Sequence, residues 1–134
     1  MRTVIDTNVI LSGLYKPDSP PGRILESAAE GSLLLCAPEA VRTELERVLR
    51  RVLGYSAAEV ASTLRSLPLE WIEHEVYDDF LDTARKMLRD EDDAPILACA
   101  LVLGCDIVSG DQDLHAARQH RVRVWKPADL AGKA

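Results

Sequence analysis

The sequence predicts a single three-layer α/β domain, a mostly parallel β-sheet with helices on both faces. Three observations carry this. Short β-prone runs alternate with helical stretches from end to end of the 134 residues, and parallel neighbours need a crossover between them. Leu33 to Ala37 is apolar throughout, as expected of a strand covered on both sides. Apolar residues make up 47% of the chain and charged ones 28%, the balance of a globular domain and not of a disordered or fibrous one. A chain of this length buries roughly two thirds of its unfolded surface, so one core over residues 1–134 suffices without disulfide staples.

Arg2 to Ile5 reads as the first strand, and Asp6-Thr7-Asn8 turns the chain out of it, because such side chains satisfy backbone groups locally. Val9 to Leu14 reads as a short helix, Lys16 to Gly22 as a proline-rich loop, and Pro21 to Glu30 as a helix ended by Gly31. After the Leu33–Ala37 strand, Pro38 opens the clearest helix. Val41, Leu45, Val48, Leu49 and Val52 form one stripe at the 3.6-residue period, and Gly54 stops it. Ser56 and Glu59 make a capping box for a helix to about Leu67. Leu69 to Val76 alternates as a strand, and Tyr77 to Arg89 is helical. Asp93 is placed to cap a helix through Leu103, with Pro95 in its first turn and Gly104 at its end. Asp106–Val108, Asp111–Gln119 and Val122–Trp125 follow as strand, helix and strand.

Composition narrows the function. The net charge of −6 argues against nucleic-acid binding through bulk charge, though not against a local site. No apolar stretch is long enough to span a bilayer, and the MRTVID start lacks a signal-peptide pattern, so no membrane association is expected. Cys36, Cys99 and Cys105 are odd in number and lie in apolar surroundings, which predicts buried reduced thiols in a cytoplasmic protein.

In an open parallel sheet, ligands bind outside the carboxyl ends of the strands. Asp6 ends the first strand, Asp111 and Asp113 follow the fourth, and Asp92 and Asp93 start a helix at the same edge. Glu44 lies in the second turn of the helix after strand two, about 80° from the centre of its apolar stripe, where it can point along the rim. Each acid has a plain structural role, as an Asx turn, a helix cap or a solvated helix residue. Capping does not require four distant segments to bring a carboxylate to one rim. Converging carboxylates repel one another in a half-buried cleft unless protons are retained or a divalent cation neutralises them. With only hard oxygen donors, Mg²⁺ or Mn²⁺ fits better than zinc, and such a site suits chemistry at a phosphate.

Asp6-Thr7-Asn8-Val9, Glu44-Leu45, Asp93-Ala-Pro-Ile-Leu-Ala-Cys-Ala and Ser109-Gly-Asp111-Gln-Asp113-Leu together resemble the PIN-domain nucleases, in order and over nearly the whole chain. Within them, the chain looks like the small VapC-like toxins of toxin–antitoxin pairs. The resemblance implies a magnesium-dependent endoribonuclease on a five-stranded parallel sheet. It makes Asp6, Glu44, Asp93 and Asp111 the acidic metal-site residues and Asp113 an extra acid, with Asn8 and Ser109 orienting Asp6 and Asp111. Asp92 adjoins the third acid, but the offset of three from Asp93 to Ile96 matches the family's pattern. An RNA substrate, a small antitoxin partner and a homodimer are further implications.

Basic residues crowd two stretches, Arg42, Arg47, Arg50 and Arg51, and Arg118, Arg121, Arg123 and Lys126. Arg42, Arg47, Arg118 and Arg121 are the candidates for RNA phosphate contacts if they flank the cleft. Glu73-His74-Glu75 is set aside as a metal site, because neighbours in an alternating strand cannot share a face. Two other readings remain. A phosphotransfer or phosphatase module would use a strand-end Asp as nucleophile, but Asp6-Thr7-Asn8 lacks D-x-D spacing and Lys126 is the sole candidate for a receiver lysine. A non-catalytic interaction domain would use the apolar helix around Ser56 to Leu67.

Overall fold

The structure, a computed structural model, describes residues 2–117 and 122–133. Its sheet holds β1 Arg2–Ile5, β2 Leu34–Pro38, β3 Leu69–Ile72, β4 Asp106–Val108 and β5 Val124–Trp125, all parallel, in the order β3-β2-β1-β4-β5. Val4 of the central strand stands opposite Cys36 on one side and Ile107 on the other. Thr3, Val4 and Ile5 are all fully buried. Since successive strand residues face opposite ways, both faces of the sheet are covered, which is the three-layer architecture the sequence predicts. The strand order reverses at β1, so the crevice available to a ligand opens at its carboxyl end.

The helices are α1 Thr7–Tyr15, α2 Pro20–Ala29, α3 Glu39–Arg47, α4 Ala57–Ser66, α5 His74–Tyr77, α6 Leu81–Met87, α7 Ala94–Leu103, α8 Gln112–Ala116 and α9 Pro127–Ala131. The central one is α7. Ile96 to Ala100 are buried without a polar face, and the helix packs on β1, β2 and β4 before Gly104 ends it at φ 63°. None of the described helices is long and apolar enough to cross a membrane. The three cysteines are buried and unpaired.

Three elements differ from the sequence expectation. The helix from Pro38 does not continue regularly to Gly54. After Arg47 it widens into a π turn over Val48–Val52, in which the Leu53 N–H donates to the Val48 carbonyl at 3.0 Å. Val41, Leu45 and Leu49 stay buried, but the wide turn rotates Val52 out to 67% exposure. The third strand ends at Ile72, not at Val76, and residues 74–77 form α5. The cause is tertiary. Tyr77 turns inward, where its hydroxyl accepts from the Ala40 N–H at 3.4 Å, and Glu39 Oε2 accepts from the His74 N–H at 3.1 Å. The expected helix from Tyr77 to Arg89 is correspondingly broken by a 3₁₀ turn at Asp78–Phe80.

Candidate metal centre

The chain leaves β1 directly into α1, and Asp6 serves as its N-cap. Asp6 Oδ1 accepts from the Asn8 N–H at 3.4 Å, and Oδ2 accepts from the Ser109 hydroxyl at 2.7 Å. The expected turn and the expected site position are therefore one structure. Ser109, fully buried just after β4, also accepts from the Asp111 N–H at 2.9 Å, so a single hydroxyl fixes the backbone of one acid and the carboxylate of another. Asn8 contributes to Asp6 through its backbone N–H. Asp111 caps α8, its Oδ1 accepting from the Asp113 and Leu114 N–H groups.

Asp93 departs from the capping role. It begins α7 in a helical conformation (φ −85°, ψ −3°) without a side-chain capping bond. A 3₁₀ turn at Glu91–Asp93 precedes it, capped by Asp90, whose Oδ1 accepts from the Asp92 N–H at 3.0 Å. Asp93 is thereby free to point inward, and its Oδ2 is buried with no hydrogen-bond partner. Asp92 is exposed at the rim.

These residues share one cleft of about 200 Å³, lined by the carboxylates of Asp6, Glu44, Asp90, Asp92, Asp93 and Asp111 together with Asn8. No lysine or arginine lines it among the described residues. Glu44 is exposed on α3 and its side chain has no hydrogen-bond or ion-pair partner among the described residues, so it is available to whatever enters. Asp113 is placed elsewhere. Its carboxylate accepts from the Arg89 and Asp90 N–H groups at 3.4 and 2.8 Å, bracing the segment that leads to Asp93. Asp90 had no signal in the sequence beyond membership of an acidic run.

The electrostatics follow from the crowding. Burial pushes the Asp93 carboxyl up to about 7, and the charges of Asp111, Asp6 and Asp90 add to it. Burial also raises Asp6, against the lowering effect of the Ser109 and Asn8 bonds. An all-oxygen donor set with one orphaned buried oxygen fits a hard divalent cation. The group formed by Asp6, Glu44, Asp93 and Asp111 is wider than a closed cage. The one trio of ligand-type side chains among the described residues whose donor atoms all lie within 4.8 Å of one another is Glu39, His74 and Glu75. Mg²⁺ and Mn²⁺ keep several waters of their own, so they do not require every donor of such a group to touch the ion.

The Glu39, His74 and Glu75 trio overturns the argument that set Glu73-His74-Glu75 aside, because His74 and Glu75 lie in a helix and Glu39 comes from α3. Asp78 Oδ2 lies 2.7 Å from His74 Nδ1 and raises the ring's pKa, which favours the protonated ring over a metal-ligating one.

Of the basic candidates, Arg42 pairs with Glu46 at 3.7 Å, and Arg47 is exposed without an ion-pair partner among the described residues. Arg118 and Arg121 lie outside the described residues. Arg123 stacks on Trp125, its guanidinium 4.6 Å from the ring centroid, and the indole N–H donates to Asp106 Oδ2 at 3.0 Å.

Comparison with known proteins agrees with this architecture. No curated protein sequence matches the chain significantly. One chain of the crystal structure of VapBC2 from Rickettsia felis bound to a DNA fragment from their promoter superposes with a TM-score of 0.72 at 15% identity, covering 94% of this chain and 98% of that one. At that identity the similarity is one of fold. The family model of the PIN domain matches residues 4–126, which run from within β1 through the whole sheet to the residue after β5. With the parallel sheet, its order and its acidic edge already in place, the match settles the family: the chain belongs to the PIN domain family.

Proposed function

We propose that this protein is a Mg²⁺- or Mn²⁺-dependent endoribonuclease that hydrolyses RNA phosphodiester bonds, and that it is the toxin of a type II toxin–antitoxin pair acting in the cytoplasm. The observation that carries the chemistry is the partnerless buried Oδ2 of Asp93 in a cleft of carboxylates that no basic residue lines among the described residues. Asp6, Asp93 and Asp111 would hold the cation, with Glu44 completing the set from α3. A divalent cation there would supply charge neutralisation and Lewis-acid polarisation at the phosphate.

The chain's own residues do the rest. The Ser109 hydroxyl holds Asp6 at 2.7 Å and the Asp111 backbone at 2.9 Å, so both acids are fixed before substrate arrives. Asp113 fixes the segment carrying Asp90 to Asp93. Asp93, its carboxyl raised by burial and by the charges of Asp111, Asp6 and Asp90, would have to be ionised to hold a cation, so cation binding there would release protons near neutral pH. The buried wall of α7 behind the acids keeps bulk water from the inner side of the cleft.

The toxin assignment is supported by family membership and by the fold shared with the VapBC2 chain. Val52 and Leu53, exposed by 67% and 54% beside α4, offer an apolar surface to a small antitoxin or to a second copy in a homodimer. The decisive experiment is RNA cleavage by the purified protein. Asp6→Asn abolishes cleavage with the fold intact by circular dichroism, and excess EDTA abolishes it in the wild type. Full activity in either case refutes the proposal.

A further inference from the structure

The cleft poses a difficulty for its own substrate. Six carboxylates and, among the described residues, no basic residue line it, so a polyanion is repelled unless positive charge lies close by. The helix that carries Glu44 provides it. A shallow groove of about 580 Å³ runs along α3 and the π turn, lined by Thr43, Glu46, Arg47, Arg50 and Arg51. All three arginines are exposed, and none has a hydrogen-bond or ion-pair partner from its side chain among the described residues. Arg2, Arg42 and Arg85, by contrast, are each paired with a carboxylate. The groove's single acid, Glu46, is engaged by Arg42.

The backbone supports the cluster. A regular helix would continue the 3.6-residue stripe and bury Val52. The π turn at Val48–Val52 gives up that burial, while Arg50 and Arg51, three and four residues beyond Arg47, line the same groove as it does. Along the helix axis, Arg47 lies about 4.5 Å and Arg51 about 10 Å beyond Glu44, on the part of the helix that leads away from the cleft. Guanidinium groups match phosphate oxygens in bidentate geometry.

We infer that Arg47, Arg50 and Arg51 form a backbone-binding subsite for the single-stranded RNA that flanks the scissile phosphate. This rests on the ribonuclease reading above and adds where the substrate lies. Such contacts set affinity and register and read no bases.

The test uses the full chain. Arg50→Ala/Arg51→Ala and Arg50→Lys/Arg51→Lys are each placed in the wild type and in an Asp6→Asn background that binds without cutting. Affinity for a labelled single-stranded oligoribonucleotide of about a dozen nucleotides is measured across a salt series. The alanine pair is expected to weaken binding about ten-fold and to lower the slope of log K against log salt by about 1.4, at roughly 0.7 per phosphate contact, while the lysine pair keeps the slope. Cleavage of a dinucleotide, too short to reach the groove, stays at the wild-type rate. Matching thermal melts show that the variants fold. An unchanged slope in the alanine pair, with the wild type cleaving RNA, overturns the subsite and leaves the nuclease standing. Equal loss on the dinucleotide and the long oligonucleotide also overturns it. A wild type that neither binds nor cleaves RNA with Mn²⁺ removes the nuclease reading, and the subsite with it.

Discussion

Replacing Asp93 by asparagine keeps the side chain's shape and deletes the charge that the cleft opposes most. In the folded chain this carboxyl is raised to about 7, from an ordinary value of 3.8. Because the folded value is raised, ionised Asp93 costs stability, and Asp93→Asn recovers it. The cost is absent below the unfolded pKa, grows as pH rises from about 4 to about 7, and is constant above. Fully counted, the shift is worth about 4 kcal/mol. Asp93 is only partly buried, so solvent screening reduces this to about 2 kcal/mol at pH 8 and about 0.5 kcal/mol at pH 4.5. The assay is urea denaturation of wild type and Asp93→Asn in EDTA at both pH values. The expected gain at pH 8 corresponds to roughly 6–8 °C in Tm for a domain of this size. Mn²⁺ at about a hundred times its Kd should raise the wild type by about 2.7 kcal/mol and leave the variant unmoved. A variant no more stable than wild type at pH 8, or a gain equal at both pH values, would refute the reasoning.

Other perturbations have definite expected outcomes. Ser109→Ala removes the hydroxyl shared by Asp6 and Asp111 and should lower Mn²⁺ affinity and RNA cleavage about 10–100-fold, as read by calorimetry and initial rates. Unchanged values would mean the two acids need no such fixing. Thr3 is fully buried in the central strand with its hydroxyl unpartnered, so Thr3→Val should stabilise the fold by about 1 kcal/mol in urea denaturation. A loss of stability there would contradict the burial argument. Gly22→Ala would drive a methyl group into the Pro17 carbonyl and should destabilise by about 3 kcal/mol or more, whereas a melt at the wild-type temperature would show that the loop before α2 yields freely.

The sheet was readable because its signals are local. Alternating strands and helices, the capping box at Ser56 and Glu59, and the glycine that ends α7 each act over a few residues. Strand-end position likewise suffices to bring Asp6, Glu44, Asp93 and Asp111 to one edge. What escaped depends on contacts between distant segments. The early end of β3 follows from Glu39 reaching His74, 35 residues away, and from Tyr77 turning towards Ala40. The bracing by Asp113 crosses 23 residues to Asp90, and no spacing rule announces it. The π turn breaks the period that the apolar stripe alone would extend to Val52, so periodicity misplaced that side chain. Asp93 shows the limit of capping rules. A residue type that normally bonds its own helix start is here left without that bond and faces the cleft.

The most direct test is a crystal soaked in Mn²⁺ and measured at the manganese absorption edge. The account predicts an anomalous peak among the carboxylates of Asp6, Glu44, Asp93 and Asp111, lost in Asp93→Asn crystals. A peak at Glu39, His74 and Glu75 with the cleft holding only water, or no peak at all at saturating Mn²⁺, would contradict it.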